Sequence, residues 1–333
     1  MYGTIRVPFQ GTNYVDGILY IDFFPMPSDK TSDSKDRAPH AGQTSFEQHT
    51  SKIRHFFSIP APVKVLFDKV PVLTYPPNDL PQRAPKPARI PSLYVFIKKE
   101  DAAAGRPSYN PSCLKWQTFL NFADINHRLM PSNNHASPSG ALPFLLPASK
   151  NPQEAPMPIA SNKLVKYVEE QGKTVKESSS MRYEAYQSLI DHRIRDAWLY
   201  TLYLEPLNFS AVAYHLYVSP TSSNPLVRAS ISHQLRSAAE AELLKHTAII
   251  DTDDIYSEAD KAFEALSILL GEDSWFFGTT EPTLFDASIF AYTQLLLDDE
   301  LGWQEKKLCR ALRRRANLVQ HRERLLVRYF GGS

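Results

Sequence analysis

The hydrophobic pattern of this chain changes near its middle. Short apolar runs separated by turn-forming residues fill residues 92–172, whereas long apolar stripes follow from residue 181 onward. In the first region, LYVFIKK at residues 93–99 has strand character, and Asn110-Pro111 is typical of a helix start. A strand, a turn, a second strand opened by Leu142-Pro143 and another helix follow. The pattern predicts a small α/β domain with the order β-α-β-β-α.

Helical spacing dominates residues 181–330, which we expect to form a second, all-helical domain. Residues 181–218 predict one helical region interrupted near Pro206, and Asn224 is the expected cap of the next helix. A third helix is predicted for residues 256–270. Thr283-x-x-Asp286 has the form of a capping box, which assigns both residues a structural role. The last helix is expected at about residues 303–329, with an apolar stripe of Leu308, Leu312, Ala316, Val319, Leu326 and Phe330.

Residues 1–90 differ from both regions and predict an N-terminal extension. Residues 28–52 are polar with few large apolar side chains, which favours a disordered linker. Residues 56–91 are rich in proline yet strongly apolar, and we expect this segment to dock on a partner or on the folded part of the chain. Its candidate partner-binding residues are Phe56, Phe57, Val65, Leu66, Phe67 and Tyr75.

Composition narrows the class of protein. The chain has 333 residues, 43% of them hydrophobic and 22% charged, as expected for two ordinary globular domains. A net charge of +1 gives no indication of a nucleic-acid partner, and two cysteines do not suggest a disulfide scaffold. No secretory signal or presequence is recognisable at the start. Residues 197–218 are apolar, but Glu205-Pro206 favours a buried, bent helix over a membrane span.

Two positions carry candidate chemistry in the α/β domain. Cys113 lies in the first turn of its predicted helix, where a thiol pKa is lowered, but no Cys-x-x-Cys is present. A lone cysteine beside Leu114 and Trp116 is more often a packing residue, and we assign it that role. Pro143 opens a strand, and the surrounding pattern predicts a cis peptide bond before it. We find no metal-ligand spacing, phosphate loop or dinucleotide fingerprint.

Several segments together resemble the metaxin family. They are SCLKWQTFLNFADI, SPSGALPFLLP, SNKLVKYVEEQG and FFGTTEPTLFDASIFAYTQLLL, and the resemblance covers about residues 90–330. It implies a glutathione-transferase-like fold, with a thioredoxin-like domain at residues 92–172 and an all-α domain at residues 181–330. It also implies a non-enzymatic receptor subunit of the fungal mitochondrial sorting and assembly machinery, bound peripherally at the cytosolic face of the outer membrane.

The resemblance further implies the partners of such a subunit. They are a membrane β-barrel core subunit, a second metaxin-like subunit and β-barrel precursor proteins, whose last strand could be received by β-augmentation at a sheet edge or in a groove. The alternatives are a glutathione transferase, which would be an enzyme, and a generic adaptor that uses the same fold.

The residues that would serve a glutathione transferase are mostly missing. Such enzymes hold glutathione with an acidic or amide residue followed by Ser or Thr, whereas this chain has Ala160-Ser161. Ser161 can still act as a helix N-cap. The catalytic group of these enzymes lies near the end of the first strand. In this chain Tyr94 lies in the predicted strand, Ser108 and Tyr109 lie in the long loop after it, and none of the three is a clear match for that group. We therefore expect no cofactor and no catalysis.

Basic residues concentrate in the last predicted helix, among them Arg313, Arg314 and Arg315. Residues 251–300, which precede it, are strongly acidic. One interpretation is an internal charge match or a solvated helix face. The other is a surface for an acidic partner or anionic lipid headgroups. The sequence leaves both open.

Overall fold

The computed structural model of the protein describes residues 89–149, 156–175, 180–245 and 247–331. The predicted linker at residues 28–52 and nearly all of the proline-rich segment at 56–91 lie outside these residues. The candidate partner-binding residues Phe56, Phe57, Val65, Leu66, Phe67 and Tyr75 also lie outside them, and their role stays a prediction.

A four-stranded sheet forms the centre of the first region. Its strands are β1 (Ser92–Val95), β2 (Arg128–Pro131), β3 (Phe144–Leu146) and β4 (Ile159–Ala160). Their spatial order is β2-β1-β3-β4, with β1 and β2 parallel and the other neighbours antiparallel. The predicted thioredoxin-like sheet is confirmed. Strand β4 was not expected, because two residues are too few to show a period.

Three helices accompany the sheet: α1 (Lys99–Ala104), α2 (Pro111–Phe122) and α3 (Leu164–Glu170). Helix α2 begins as predicted, because the side chain of Asn110 accepts a hydrogen bond from the backbone N–H of Cys113 at 3.1 Å. Helix α1 lies where the sequence predicted only a loop. Its alanines favour helix, and Gly105 ends it in the left-handed conformation with a φ of 70°.

Seven helical runs make up the described part of the second region. They are α4 (183–204), α5 (206–218), α6 (Pro225–Leu243), α7 (Thr252–Leu270), α8 (Leu284–Leu297), α9 (Lys307–Arg313) and α10 (Ala316–Phe330). The break between α4 and α5 falls at Glu205, directly before Pro206, as predicted. Asn224 caps α6, and its side chain accepts from the N–H of Leu226 at 2.9 Å.

Helices α4 and α5 contain π-helical turns. The segments are Leu189–Ile194, Tyr200–Leu204 and Phe209–Val218. A π-helical turn rotates the following side chains relative to an α-helix, and such turns often occur at functional sites. Two residues of these segments, Tyr203 and Tyr217, point into the junction between the sheet and the helices.

Three helix predictions need correction. The last helix is two helices, because Arg315 leaves helical geometry with φ −105° and ψ 85°. Helix α7 starts four residues earlier than expected, at Thr252, because the Asp251 side chain caps it. Ser161 is not the cap of α3: it opens a 3-10 turn (Ser161–Lys163), and the N-cap position of α3 is Lys163.

The sheet and the helical region are packed together through α2 and α8. Leu284 and Ala287 of α8 belong to the same buried cluster as Cys113 and Phe119 of α2. The Asn121 side chain donates to the carbonyl of Tyr329 at 3.4 Å. The first turn of α8 therefore helps to form the core of the sheet region. None of the helices in the described part of the chain has both the length and the apolar character that crossing a bilayer requires.

Candidate functional site

The N-terminus of α2 lies where the two regions meet. The end of β1 is beside it, and α5 of the helical region faces it. Ser108 lies there with no exposed surface. Its hydroxyl donates to the carbonyl of Phe96 at 2.7 Å, and its N–H donates to Gln117 at 2.9 Å. Both polar groups of Ser108 are thus used in fixing the loop between β1 and α2.

Three tyrosines from both regions fill this junction. Tyr109 comes from the loop before α2, Tyr203 from α4 and Tyr217 from α5. The rings of Tyr109 and Tyr217 meet edge to face with centroids 5.4 Å apart, and Tyr203 lies 6.0 Å from Tyr217. The Tyr217 hydroxyl donates to the carbonyl of Tyr109 at 3.3 Å, and the Asn110 amide donates to that hydroxyl at 3.4 Å. We call Tyr109, Tyr203 and Tyr217 the tyrosine cluster.

The tyrosine cluster is a poor environment for charge. Burial raises the pKa of Tyr109 and Tyr203 above the usual 10.0. The pKa of Tyr217 is raised well above 10.0, first by burial and then by the neighbouring Tyr203 and Tyr109. The hydroxyls therefore stay neutral at physiological pH. This burial disfavours the phenolate, which is the form in which a tyrosine acts as a base or a nucleophile.

Cys113 lies below the tyrosine cluster and is fully buried. Burial raises the pKa of its thiol from 9.0 to about 12, and hydrogen bonds with the backbone of Phe96 and the side chain of Ser108 oppose this only in part. The thiolate is the reactive form of cysteine, so a neutral, buried thiol is inert at pH 7. The assignment of Cys113 as a packing residue agrees with this environment.

The remaining positions of a glutathione site are occupied by structural residues. The Leu142-Pro143 bond is cis, as predicted. The N–H of Leu142 donates to the Asn134 side chain at 3.0 Å. Ala160 ends β4 and pairs with Phe144, so it supplies only a methyl group. The ring of Tyr94 stacks on that of Phe144 with centroids 4.5 Å apart.

A cleft of about 170 Å³ lies beside the tyrosine cluster, between the sheet and the helical region. Small-molecule sites in proteins measure roughly 300–1,000 Å³, so this cleft is small for a peptide-sized ligand. Its rim has both charge signs, including Arg106, Asp298 and Arg322. Burial raises the pKa of Asp298 above its usual value, and the hydrogen bond from the backbone N–H of Glu300 opposes this in part.

A second buried polar centre surrounds Asp286. The predicted capping box is present: the Thr283 side chain bonds the backbone of the third residue, and Asp286 accepts from the N–H of Thr283 at 2.8 Å. Asp286 also accepts from the hydroxyl of Thr283 at 2.8 Å and from the N–H of Phe276 at 3.1 Å. Both side chains are buried, so their role is structural.

His321 completes this centre, which the sequence did not predict. Its Nε2 lies 2.9 Å from an Asp286 oxygen, and neither side chain is exposed. The ring of His321 meets those of Trp275 and Phe276 edge to face. Helical spacing from Leu318 and Leu325 could have indicated that His321 is buried, because the three residues share the buried face of α10. The apolar stripe expected from Val319 and Leu326 is therefore not the buried face of this helix. We call Thr283, Asp286 and His321 the Asp286 centre.

The arginines at the α9–α10 junction pair with acidic residues of the same chain. Arg315 donates to Asp260 at 2.6 Å, with 12% of its side chain exposed. Arg313 pairs with Asp299 at 2.8 Å, and Arg314 lies 4.0 Å from Asp260. The internal charge match is therefore present at Arg315, whereas Arg313 and Arg314 stay exposed in their ion pairs, and the partner-binding role of the three arginines stays a prediction.

The sheet edges are short. Strand β2 forms one edge over four residues and ends at Pro131, which has no N–H to donate. Strand β4 forms the other edge over two residues. A partner strand on either edge would form few backbone hydrogen bonds, and proline at an edge is a usual protection against such pairing.

Comparison with known proteins agrees with this architecture. Residues 111–208 match the family described as glutathione S-transferase N-terminal domain, and residues 259–325 match the family described as glutathione S-transferase, C-terminal domain. Among solved structures, glutathione S-transferase III in apo form is similar with a TM-score of 0.42 and 12% identity, covering 72% of this chain and 93% of that one. The two family matches, together with the mixed sheet and the helices that follow it, show that the chain has a glutathione-transferase-like fold with a thioredoxin-like and an all-helical part.

Its sequence relatives define the chain more narrowly. Metaxin-3 of Xenopus laevis is 26% identical over 234 residues, which is 68% of this chain and 74% of the relative. Metaxin-3 of Danio rerio is 31% identical over 153 residues, which is 44% of this chain and 47% of that relative. The chain is a metaxin-like protein.

Proposed function

We propose that the chain is a non-enzymatic receptor and assembly subunit of the mitochondrial outer-membrane machinery that sorts and inserts β-barrel proteins. In this proposal it lies peripherally at the cytosolic face and helps to receive β-barrel precursors. Its partners are a membrane β-barrel core subunit and a second metaxin-like subunit. The observation that carries the proposal is the similarity to Metaxin-3 over 234 residues.

The filled junction at the start of α2 supports a binding role over catalysis. Enzymes of this fold need an accessible, activatable group near the end of the first strand. Here Ser108 is committed to backbone contacts, Cys113 is buried with a raised pKa, and the tyrosine cluster occupies the space between the two regions. We therefore propose that the chain has no glutathione transferase activity.

Precursor recognition by this chain would use a surface other than the described sheet edges. An edge of four residues closed by Pro131 and an edge of two residues offer little to an incoming strand. The proline-rich, apolar residues 56–82 fit a role in contacting another subunit, because proline limits the entropy lost when such a segment docks.

The decisive experiment is affinity purification of the tagged full chain from gently solubilised mitochondrial membranes, with partners identified by mass spectrometry. We expect a membrane β-barrel core subunit and a second metaxin-like subunit. A chain without residues 56–82 should recover less of both. Recovery of other proteins without any outer-membrane β-barrel subunit would contradict the proposal and favour a generic adaptor.

A separate assay addresses the enzymatic alternative. Pure protein is passed over glutathione resin and tested in a standard thiol-conjugation reaction, beside an active glutathione transferase as a positive control. We expect no retention on the resin and no turnover above the protein-free rate. Turnover that persists in a repurified sample would replace the receptor assignment by that of a glutathione transferase.

A further inference from the structure

The hairpin formed by α5 and α6 has an unusual charge pattern. Residues 206–239 contain neither Asp nor Glu, although the chain has 36 acidic residues among 333. The basic side chains of this stretch are Arg228 and Arg236, and His215 and His233 are exposed on it. The surface formed by residues 206–239 is therefore neutral to positive, whereas Glu240 and Glu242 at the far end of α6 and residues 251–300 are acidic.

The tip of the hairpin exposes apolar side chains. Leu226 is 79% exposed and Val227 is 42% exposed, at the start of α6. The residues that α6 buries are Leu235, Ala239 and Leu243, all in its second half. The first half of α6 therefore projects from the core with its apolar tip in solvent.

This tip is held in a defined conformation. Asn224 caps α6 through the N–H of Leu226. The guanidinium group of Arg228 donates to the carbonyls of Ser222 and Ser219, the latter at 3.3 Å, and so ties the first turn of α6 to the preceding loop. Leu226 and Val227 are thus presented on an ordered helical turn.

From these observations we propose that the tip of the α5–α6 hairpin contacts an anionic lipid surface. Leu226 and Val227 enter the interfacial layer, and the basic residues of the hairpin face the headgroups. The absence of acidic residues from residues 206–239, which include α5, the tip and the first part of α6, indicates a lipid surface, because an anionic bilayer repels carboxylates over a wide area. A protein partner excludes them only at the residues it touches. This inference does not depend on the proposed receptor function.

Vesicle co-sedimentation of the full chain tests the proposal. We expect binding to phosphatidylcholine–phosphatidylserine vesicles, with weaker binding to phosphatidylcholine alone and at high salt. The double variant Leu226→Glu/Val227→Glu should lower the vesicle-bound fraction about tenfold or more, because it replaces both apolar contacts with charges that the surface repels.

The matched control is Ile249→Glu/Ile268→Glu. These isoleucines are 78% and 73% exposed and lie outside the hairpin. Replacing them with glutamate adds the same charge to the chain as the hairpin variant does. The control should bind vesicles within about twofold of the unaltered chain, since the bilayer does not touch its substituted positions. Thermal unfolding of both variants checks that they fold, and Leu226→Ser/Val227→Ser serves if the glutamates prevent folding.

Two results would overturn the proposal. One is absence of vesicle binding by the unaltered chain, and the other is equal loss of binding in the hairpin variant and the control. If the hairpin variant keeps vesicle binding but no longer recovers a protein partner from solubilised membranes, the tip is a protein interface and the lipid assignment is wrong. Failure of the receptor proposal would instead appear as the absence of β-barrel partners, whatever the vesicles show.

Discussion

The tyrosine cluster and the Asp286 centre are both buried and polar, but they differ in how hydrogen bonds and ring packing contribute to them. Four hydrogen-bond partners surround the two oxygens of Asp286, at distances of 2.8 to 3.1 Å. The hydroxyl of Tyr217 donates to Tyr109 at 3.3 Å, accepts from Asn110 at 3.4 Å and hydrogen-bonds with the Tyr203 side chain, and the rings of the cluster pack on one another. A buried carboxylate requires several donors, whereas a neutral hydroxyl on a buried ring is satisfied by one or two hydrogen bonds.

Among substitutions that remove a polar group and leave the large rings in place, the largest effect should come from removing the acceptor at the Asp286 centre. In Asp286→Ala, the N–H groups of Phe276 and Thr283 and the ring of His321 lose their partner inside the core. We expect a loss of about 3 kcal/mol or more in the free energy of unfolding, because each buried unpaired group costs about 1–3 kcal/mol. Denaturant unfolding measures it, with the exposed Glu264→Ala as control. A loss no larger than that of the control would contradict the assignment.

High pH should lower the free energy of unfolding by deprotonating the tyrosine cluster and its neighbour Cys113. The pKa of Cys113 is raised from 9.0 to about 12 in the fold, so the folded chain holds the thiol proton more tightly than the unfolded chain. This contribution to stability is complete below pH 9 and is lost as the pH rises from 9 to 12. Denaturant unfolding at pH 7.5, 9 and 10.5 should show the decline, with a shallower slope in Cys113→Ala. Identical slopes would argue against a buried thiol.

Loss of the helix cap should have an intermediate effect. Thr283→Ala removes the hydroxyl of the capping box and leaves the Asp286 carboxylate with one donor fewer. The usual cost of a lost N-cap is about 1–2 kcal/mol. Thr283→Ser keeps the hydroxyl and should cost clearly less. Equal thermal stability of the two variants would show that the hydroxyl is not the stabilising group.

The smallest effect is expected for Tyr217→Phe. The ring and its contacts with Tyr109 and Tyr203 are kept, and only the hydrogen bonds of a neutral hydroxyl are lost, so the cost should stay at about 1 kcal/mol. Tyr217→Ala removes the ring and should cost about 3–5 kcal/mol, as truncation of a buried aromatic residue usually does. If Phe and Ala cost the same, the hydroxyl rather than the ring stabilises the junction.

Features whose partners are close in sequence could be predicted. Asn110, Asn224 and the Thr283-Asp286 pair all act on backbone groups within three residues, and each is found as expected. The break at Pro206 follows from the missing N–H of proline. The predicted cap at Ser161 was wrong because a 3-10 turn at Ser161–Lys163 precedes α3, which places the N-cap position at Lys163.

The sequence by itself determined the local start and end signals of the helices, the cis bond before Pro143 and the charge bias of the α5–α6 hairpin. Only the tertiary structure decided that His321 completes the Asp286 centre across 35 residues and that Tyr217 reaches Tyr109 across 108 residues. It also decided that Arg315 pairs with Asp260 and lies where the last helical segment is divided into α9 and α10. Local hydrogen bonds depend on residues a turn apart, whereas these long-range partners become neighbours only when packing of the core has brought distant helices together.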